Sequence, residues 1–407
     1  MKKSMQVTLA DIRAAQLTLS EYLHPSPLLQ NAWLSEALGC EVYLKLENMQ
    51  PIGSFKIRGA TYKISRLTAA ERRKGVIAAS AGNHAQGVAW GSRKLGVNAM
   101  IVMPKNAALL KAQNTRALGA EVVLEGETYD EAYIHACKLA KKTGRVLVHA
   151  YEDHDVICGQ GTVGLEIIDQ LPNVDVVIGS LGGGGMMAGV SIAIKALRPK
   201  TQIVGCQASG APALVRSLKK GHAMRVAPVK TFADGVAVSE ASEVMRKLLA
   251  PNIDRTVEVD DESIATAVLN LMEKAKVVAE GSGAIPLAAL EHIHRSVKGK
   301  KVVLIISGGN IDVNLLSRIL DRGMIRAGRR LRMNVRISDR PGSLARLTSL
   351  IAGAGANIIQ AIHDRSEPST TIDQTEVALT LETRGPEHSD ALIKSLQDHV
   401  LRLELTH

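Results

Sequence analysis

The chain has 407 residues, which at ~150 residues per domain predicts two or three domains. Hydrophobic residues make up 46% and charged ones 22%, a globular balance that excludes wholesale disorder. Lys and Arg number 50 against 40 Asp and Glu, a formal charge of +10 that suits an anionic substrate or cofactor. No basic stripe interleaved with aromatics supports nucleic-acid binding. The aromatics are two Trp, six Tyr and two Phe, so the core must be aliphatic. Cys40, Cys137, Cys158 and Cys206 lack metal or disulfide-framework spacing and favour a reducing compartment. The start, MKKSMQVTLADIRAA, has no apolar signal region. No stretch approaches the ~18 apolar residues of a membrane helix, so the expected location is the cytoplasm.

From about residue 40 to 315 strand and helix signals alternate. VIAAS (76–80) reads as a strand, followed by a Gly-Asn-His turn and a helix ending near Gly96. NAMIVM (98–103) is a second strand, 108–118 a helix stopping at Gly119, and EVVL (121–124) a third strand. Thr128 with Glu131 predicts a capping box opening a helix that stops at Gly144, and 146–150 a fourth strand. The pattern resumes with helix 162–171, strand 174–179, a glycine loop, helix 186–197 and strand 202–207. Helices at 262–275 and 283–293 precede strand KVVLIIS (301–307). Short continuous apolar strands between helices indicate parallel sheets covered on both faces. The expected fold class is α/β, with two parallel-sheet lobes and ligands beyond the carboxyl ends of the strands. The small lobe is expected at roughly 45–150, and this two-lobed domain is expected to occupy residues 1–325.

The character changes near residue 325. Arg326, Arg329, Arg330 and Arg332 read as a solvated linker face. RMNVRIS then alternates as a half-buried strand, Asp339-Arg340-Pro341-Gly342 turns, and a helix fits 343–353. Strands at 357–363 and 375–382, a helix at 388–397 and the closing LRLEL complete a ferredoxin-like βαββαβ module over residues 330–407.

Four motifs carry chemistry. In GSFKIRGA (53–60), Lys56 lies between small residues with Phe55 beside it; an amine there can form an imine with an aldehyde, and an aromatic can stack on the resulting ring. By itself the octet also fits a surface lysine. Gly182, Gly183, Gly184 and Gly185, followed by Met186, sit between a strand and a helix start, where backbone N–H groups converge on a phosphate. No Gly-Lys-Ser/Thr follows, and no acidic residue stands ~20 positions on, so neither a Walker A loop nor a dinucleotide fingerprint is present. SAGNHAQ (80–86) also joins strand end to helix start; Ser80 and free N–H groups suit a carboxylate and Asn83 a ring oxygen, although alone it reads as a plain cap. SGGN (307–310) ends another strand. An aldehyde-bearing phosphorylated aromatic, pyridoxal 5′-phosphate, satisfies all four.

In order and spacing GSFKIRGA, SAGNHAQG, GGGGM and SGGN resemble the fold-type II pyridoxal-phosphate enzymes, specifically the threonine dehydratase (threonine ammonia-lyase) and serine racemase group. The resemblance spans residues 10–320. DRPGSL (339–344) and GANI (355–358) resemble the ACT domain, which binds amino acids at subunit interfaces. The resemblance implies that Lys56 holds the cofactor as an imine, that Phe55 packs against its ring and that Asn83 bonds the ring's 3′-oxygen. It further implies that Gly182 to Met186 hold the phosphate and that Ser307 faces the pyridine nitrogen. Ser80, Gly82 and His84 belong to the loop that grips the substrate carboxylate. An amino-acid effector would bind near Gly342 and Asn357; an oligomerisation module without a ligand is the alternative. A homo-oligomer, dimer or tetramer, is implied.

The implied reaction is β-elimination of water from L-threonine, and from L-serine, with Lys56 as general base. Serine racemase and hydroxyaspartate ammonia-lyase are the alternatives on the same scaffold. Racemases of the group carry a serine immediately after the position of Ser80; here Ala81 cannot move a proton. Cation-binding relatives place a glutamate where this chain has Gln207, so no metal site is expected. A nicotinamide-dependent oxidoreductase or a non-catalytic amino-acid sensor would need neither Lys56 nor an imine.

Overall fold

The computed structural model describes residues 5–365 and 371–406. The chain divides into two compact units, Met1–Ile311 and Asp312–His407, so the helix Val313–Arg326 belongs to the second.

The first unit holds two sheets. The larger has six strands in the spatial order Leu28–Gln30, Glu41–Leu46, Lys301–Ile306, Val176–Ser180, Gln202–Ala208, Arg255–Val259. All neighbours are parallel except the short first strand, which runs antiparallel to the second. The smaller sheet is parallel, in the order Glu121–Leu124, Ala99–Met103, Val76–Ala79, Val146–Leu147. Val176–Ser180 and Ala99–Met103 are buried along their whole length, as expected for strands covered on both faces.

Several expected elements differ from those observed, and the strands Leu28–Gln30, Glu41–Leu46 and Arg255–Val259 were not expected. The helix expected over 162–171 runs His154–Gln170, because Asp153 Oδ1 accepts the N–H groups of Asp155 and Val156 at 2.9 and 3.1 Å and starts it early. Its glycines look like breakers, yet burial along 156–168 outweighs their propensity. The strand expected over 146–150 stops at Leu147, and the chain leaves the sheet through His149 and Tyr151. The Thr128 cap forms, but the Glu131 carboxylate accepts the N–H of Glu127 at 2.6 Å instead of closing the box.

The Lys56–Ser65 helix carries Arg58, the largest fully buried side chain among the described residues. Its guanidinium meets Glu47 Oε2 at 2.7 Å and Glu166 Oε1 at 2.5 Å, while Lys45 Nζ meets Glu166 Oε2 at 2.6 Å. Burial drives the Glu47 carboxyl upward, but Arg58 and Lys45 more than reverse this and hold it below the ordinary range. Two cations and two anions thus share one interior pocket joining a strand, this helix and the helix His154–Gln170.

The second unit is a four-stranded antiparallel sheet in the order Asn357–Asp364, Gln374–Glu382, Arg330–Ser338, Arg402–Leu405, with the helices Ser343–Gly353 and Pro386–Gln397. Met333, Val335 and Ile337 alternate into its core, as the period of two requires. The arginine cluster is partly engaged: Arg330 and Arg332 both pair with Asp321 on the preceding helix. Among the described residues no helix is long and apolar enough to cross a membrane.

Arg58→Ala leaves two buried carboxylates without their guanidinium. A loss of about 3–5 kcal/mol in chemical denaturation is expected, whereas a loss under about 1 kcal/mol would reduce the network to the worth of a surface pair.

Candidate active site

Parallel pairing of Glu41–Leu46 with Lys301–Ile306 puts residues 47–55 and 307–310 at one edge of the large sheet. The two segments are sewn together there. Phe55 N–H donates to Ser307 O at 3.1 Å, Gly309 N–H to Gly53 O at 2.9 Å, and Ser54 bridges Gly308. Asn310 Nδ2 donates to Ile52 O at 2.8 Å. Gly53 has φ +71°, and a Cβ on it would sit 2.6 Å from Asn310 Oδ1, so both conformation and close approach require glycine.

Lys56 opens its helix at this seam. Its Nζ donates to Ala150 O at 2.9 Å, across from the small lobe, and lies 5.2 Å from the Phe55 ring centre. Burial pulls its amine down to about 8, against the opposing pull of the Glu280 carboxylate. A neutral amine is therefore within reach near neutral pH, which is what a nucleophile or base needs.

The tetraglycine follows Val176–Ser180 and opens the helix Gly185–Leu197, whose first turn has N–H groups without intrahelical partners. Gly184 adopts φ +91°. A Cβ on Gly183 would lie 2.3 Å from the Tyr151 ring, so this aromatic presses directly on the loop. Met186 is buried behind it. This cradle of bare backbone at a helix N-terminus fits an anionic phosphate.

Ser80 ends a small-lobe strand, and its hydroxyl accepts the Gly82 N–H at 3.1 Å; a Cβ on Gly82 would meet open space. His84 is buried, with Nε2 2.9 Å from Val148 O. Burial and then the Lys56 charge push its imidazole down to about 3, so it is neutral and offers no charge to a carboxylate. Asn83 reaches across the cleft: its Nδ2 donates to Glu280 at 2.9 Å and its Oδ1 accepts from Asn310 at 2.8 Å. Ser307 is buried at the same edge. The structure thus brings Phe55, Lys56, Asn83 and Ser307 to one edge.

Three participants escaped the sequence reading. Tyr151 follows a strand whose end was placed too late. Asn310 was visible only as the last letter of SGGN. Glu280, in AEGSGA, carried no signal except that it precedes a small-residue helix start. Gln207 Oε1 accepts the Val215 N–H at 3.0 Å, and among the described residues no group of three or more His, Cys, Asp or Glu could hold a metal.

In the second unit, Gly342 (φ +87°) lies in a cavity of about 480 Å³ shared with Asp339, Arg340, Ser343, His363 and Arg365. Asn357 stands at the opposite end of the strand that carries His363, where its Nδ2 donates to Glu382 at 3.3 Å. The structure does not bring these two expected effector residues together within one unit.

The chain resembles known proteins over most of its length. Residues 19–308 match the family described as pyridoxal-phosphate dependent enzyme, and residues 332–399 match the ACT domain. An L-threonine ammonia-lyase of Thermotoga maritima is 46% identical over 96% of this chain and 97% of its own. The processed threonine deaminase isoform 2 of Solanum lycopersicum is similar at 38% identity, with TM-score 0.74, over 77% of this chain and 92% of that one. Maize serine racemase is similar at 31% identity, with the same TM-score, over 79% of this chain and 98% of that one. The chain belongs to the pyridoxal-phosphate dependent enzyme family and carries an ACT domain later in its sequence.

Proposed function

We infer that the protein catalyses the dehydration and deamination of L-threonine to 2-oxobutanoate and ammonia, and of L-serine to pyruvate. The observation that carries this is Lys56: a half-buried lysine whose desolvated amine is pulled down to about 8, set at the seam of two strand-end loops and bonded to Ala150 O. When bound, pyridoxal phosphate supplies the aldehyde that takes up the substrate amine and the ring that acidifies its Cα–H.

The chain's own residues supply the rest. Lys56 Nζ takes the Cα proton. The N–H groups of Gly182 to Met186 hold the phosphate, and Phe55 packs beside the ring. Asn83 Nδ2 serves the ring's 3′-oxygen. Ser307 offers the ring nitrogen a neutral hydroxyl, which does not enforce protonation as a carboxylate would and so favours loss of the β-hydroxyl over transamination. The Ser80–Gly82 turn receives the substrate carboxylate on backbone N–H groups. Racemisation needs an acid on the opposite face of Cα, and Ala81 has none.

For the second unit we propose an amino-acid effector in the cavity at Gly342; Asn357, at the far end of its strand, takes no part in that cavity within one unit. The protein acts in the cytoplasm as a homodimer or homotetramer. The basic charge serves small anionic ligands, with no nucleic acid or membrane as partner.

A panel of hydroxy amino acids, followed by 2-oxo acid and D-amino acid release, tests the reaction. Threonine should give 2-oxobutanoate and no D-product; D-serine from L-serine as the main product would replace this reading with racemisation. Lys56→Ala should remove turnover and the borohydride-fixed cofactor together.

Because the Lys56 amine is neutral only above about 8, the rate at which cofactor-free protein takes up pyridoxal phosphate should rise about tenfold per pH unit below that point and level off above it. A rise continuing to pH 10 would mean an ordinary lysine. Gly183→Ala forces the Tyr151 ring off the loop, and the cofactor dissociation constant should increase at least about tenfold, an effect of the size of one lost hydrogen bond.

A further inference from the structure

One buried acid of the site has no part in the reaction as described. Glu280 precedes the helix Gly281–Ile293, yet its side chain makes no capping bond to that helix. Instead it crosses to the small lobe. Its two oxygens lie 2.9 and 3.1 Å from Asn83 Nδ2, and Oε1 also accepts the Ser282 hydroxyl at 2.7 Å. The residue is only 6% exposed. A buried carboxylate is costly unless hydrogen-bonded, so its place beside Asn83 calls for a reason.

The bonds on Asn83 supply one. An ionised carboxylate only accepts, so the Nδ2 side of the amide must face Glu280. On the other side Asn310 Nδ2 donates to Asn83 Oδ1 and, with its second hydrogen, to Ile52 O. The Asn83 amide is therefore held in one orientation from both sides. An amide nitrogen carries two hydrogens; the close Glu280 oxygens engage one, and the other is left to point elsewhere. Reversing the amide would set its oxygen against the Glu280 carboxylate and its N–H group against the Asn310 donor.

We propose that Glu280 is a positioning residue for the reaction: it fixes the Asn83 amide so that the free N–H is held toward the ring oxygen of pyridoxal phosphate. This rests on the reading of Lys56 and Asn83 as cofactor residues given above. Glu280 acts at long range on Lys56 as well, raising its proton affinity. Lys111 and Asp234, which also face Glu280, pair with each other at 2.7 Å and act on it with opposite signs. Burial pushes the Glu280 carboxyl upward, and the bonds from Ser282 and Asn83 pull it back.

The test compares the holoenzyme with Glu280→Ala, Glu280→Gln, Asn83→Ala and the double variant Glu280→Ala/Asn83→Ala. Two readouts are taken: the pH midpoint of the visible absorption band of the bound cofactor, and kcat and KM for threonine. Glu280→Ala and Asn83→Ala should move the midpoint in the same direction and lower kcat about tenfold, the size of one hydrogen bond, with smaller changes in KM. In kcat the double variant should go no further than Asn83→Ala alone, because the positioning acts through one amide; the direct pull of the Glu280 charge on Lys56 shows only in the band midpoint. Glu280→Gln keeps an acceptor at the same reach and should recover most of kcat.

Additive losses of kcat in the double variant, or an unchanged band in Glu280→Ala, would overturn the proposal. Should Glu280→Ala fail to fold, Glu280→Asp decides. Its carboxylate stops one methylene short of Asn83, and it must reproduce the Asn83→Ala band shift or the proposal is wrong. A wild-type protein that shows no visible band with added pyridoxal phosphate would instead overturn the cofactor reading, an outcome distinct from a normal wild-type band with additive variants.

Discussion

Arg58 enters the interior two residues after Lys56, on the same helix, and is met there by Glu47 and Glu166. A buried guanidinium with two carboxylates around it has little freedom to move, because any displacement strands a charge in a medium that solvates it poorly. The start of that helix is fixed by the same pairing. Lys56 inherits its place from this anchor and not from any contact of its own amine, which makes one hydrogen bond to a carbonyl. The network links a strand, the lysine helix and the helix His154–Gln170, so the scaffold beneath the reactive amine is rigid where it matters.

On that base the site is assembled by strand ends. Parallel strands deliver their carboxyl termini to the same edge, and the loops leaving them meet without further instruction. The loop before Lys56 and the SGGN turn become one surface through backbone bonds between Gly53, Phe55, Ser307 and Gly309. The small lobe closes against it through Asn83, whose amide lies between a donor and an acceptor from the large lobe. Electrostatics then follows from burial: it lowers the proton affinity of Lys56 and keeps His84 uncharged. The two neighbouring bases end at different proton affinities because an amine starts well above an imidazole and burial lowers both.

Much of this could be read from the chain. The apolar runs of the strands, the alternation of Arg330–Ser338 and the glycine loops are local patterns, and local patterns survive translation into structure because they depend on period and backbone conformation alone. Where structure departs from local pattern the reason is also physical. The glycines at 159, 161 and 164 interrupt a helical pattern by propensity, yet this helix is buried and close packing outweighs that preference. Tyr151 gave no warning because the end of its strand is set by the need to reach the glycine loop, a contact between residues about 30 apart in sequence.

The sequence by itself determined the fold class and singled out Lys56 and the tetraglycine as the groups proposed for the site, since each pattern is written in contiguous residues. Only the tertiary structure decided how those groups are tuned. Glu280 is 197 residues from Asn83 and Asn310 is 227 residues from it, and no periodicity relates such positions. Their pairing exists because two sheets present their edges to one another. The proton affinity of a buried amine is likewise a property of everything folded around it, and no stretch of eight residues contains it.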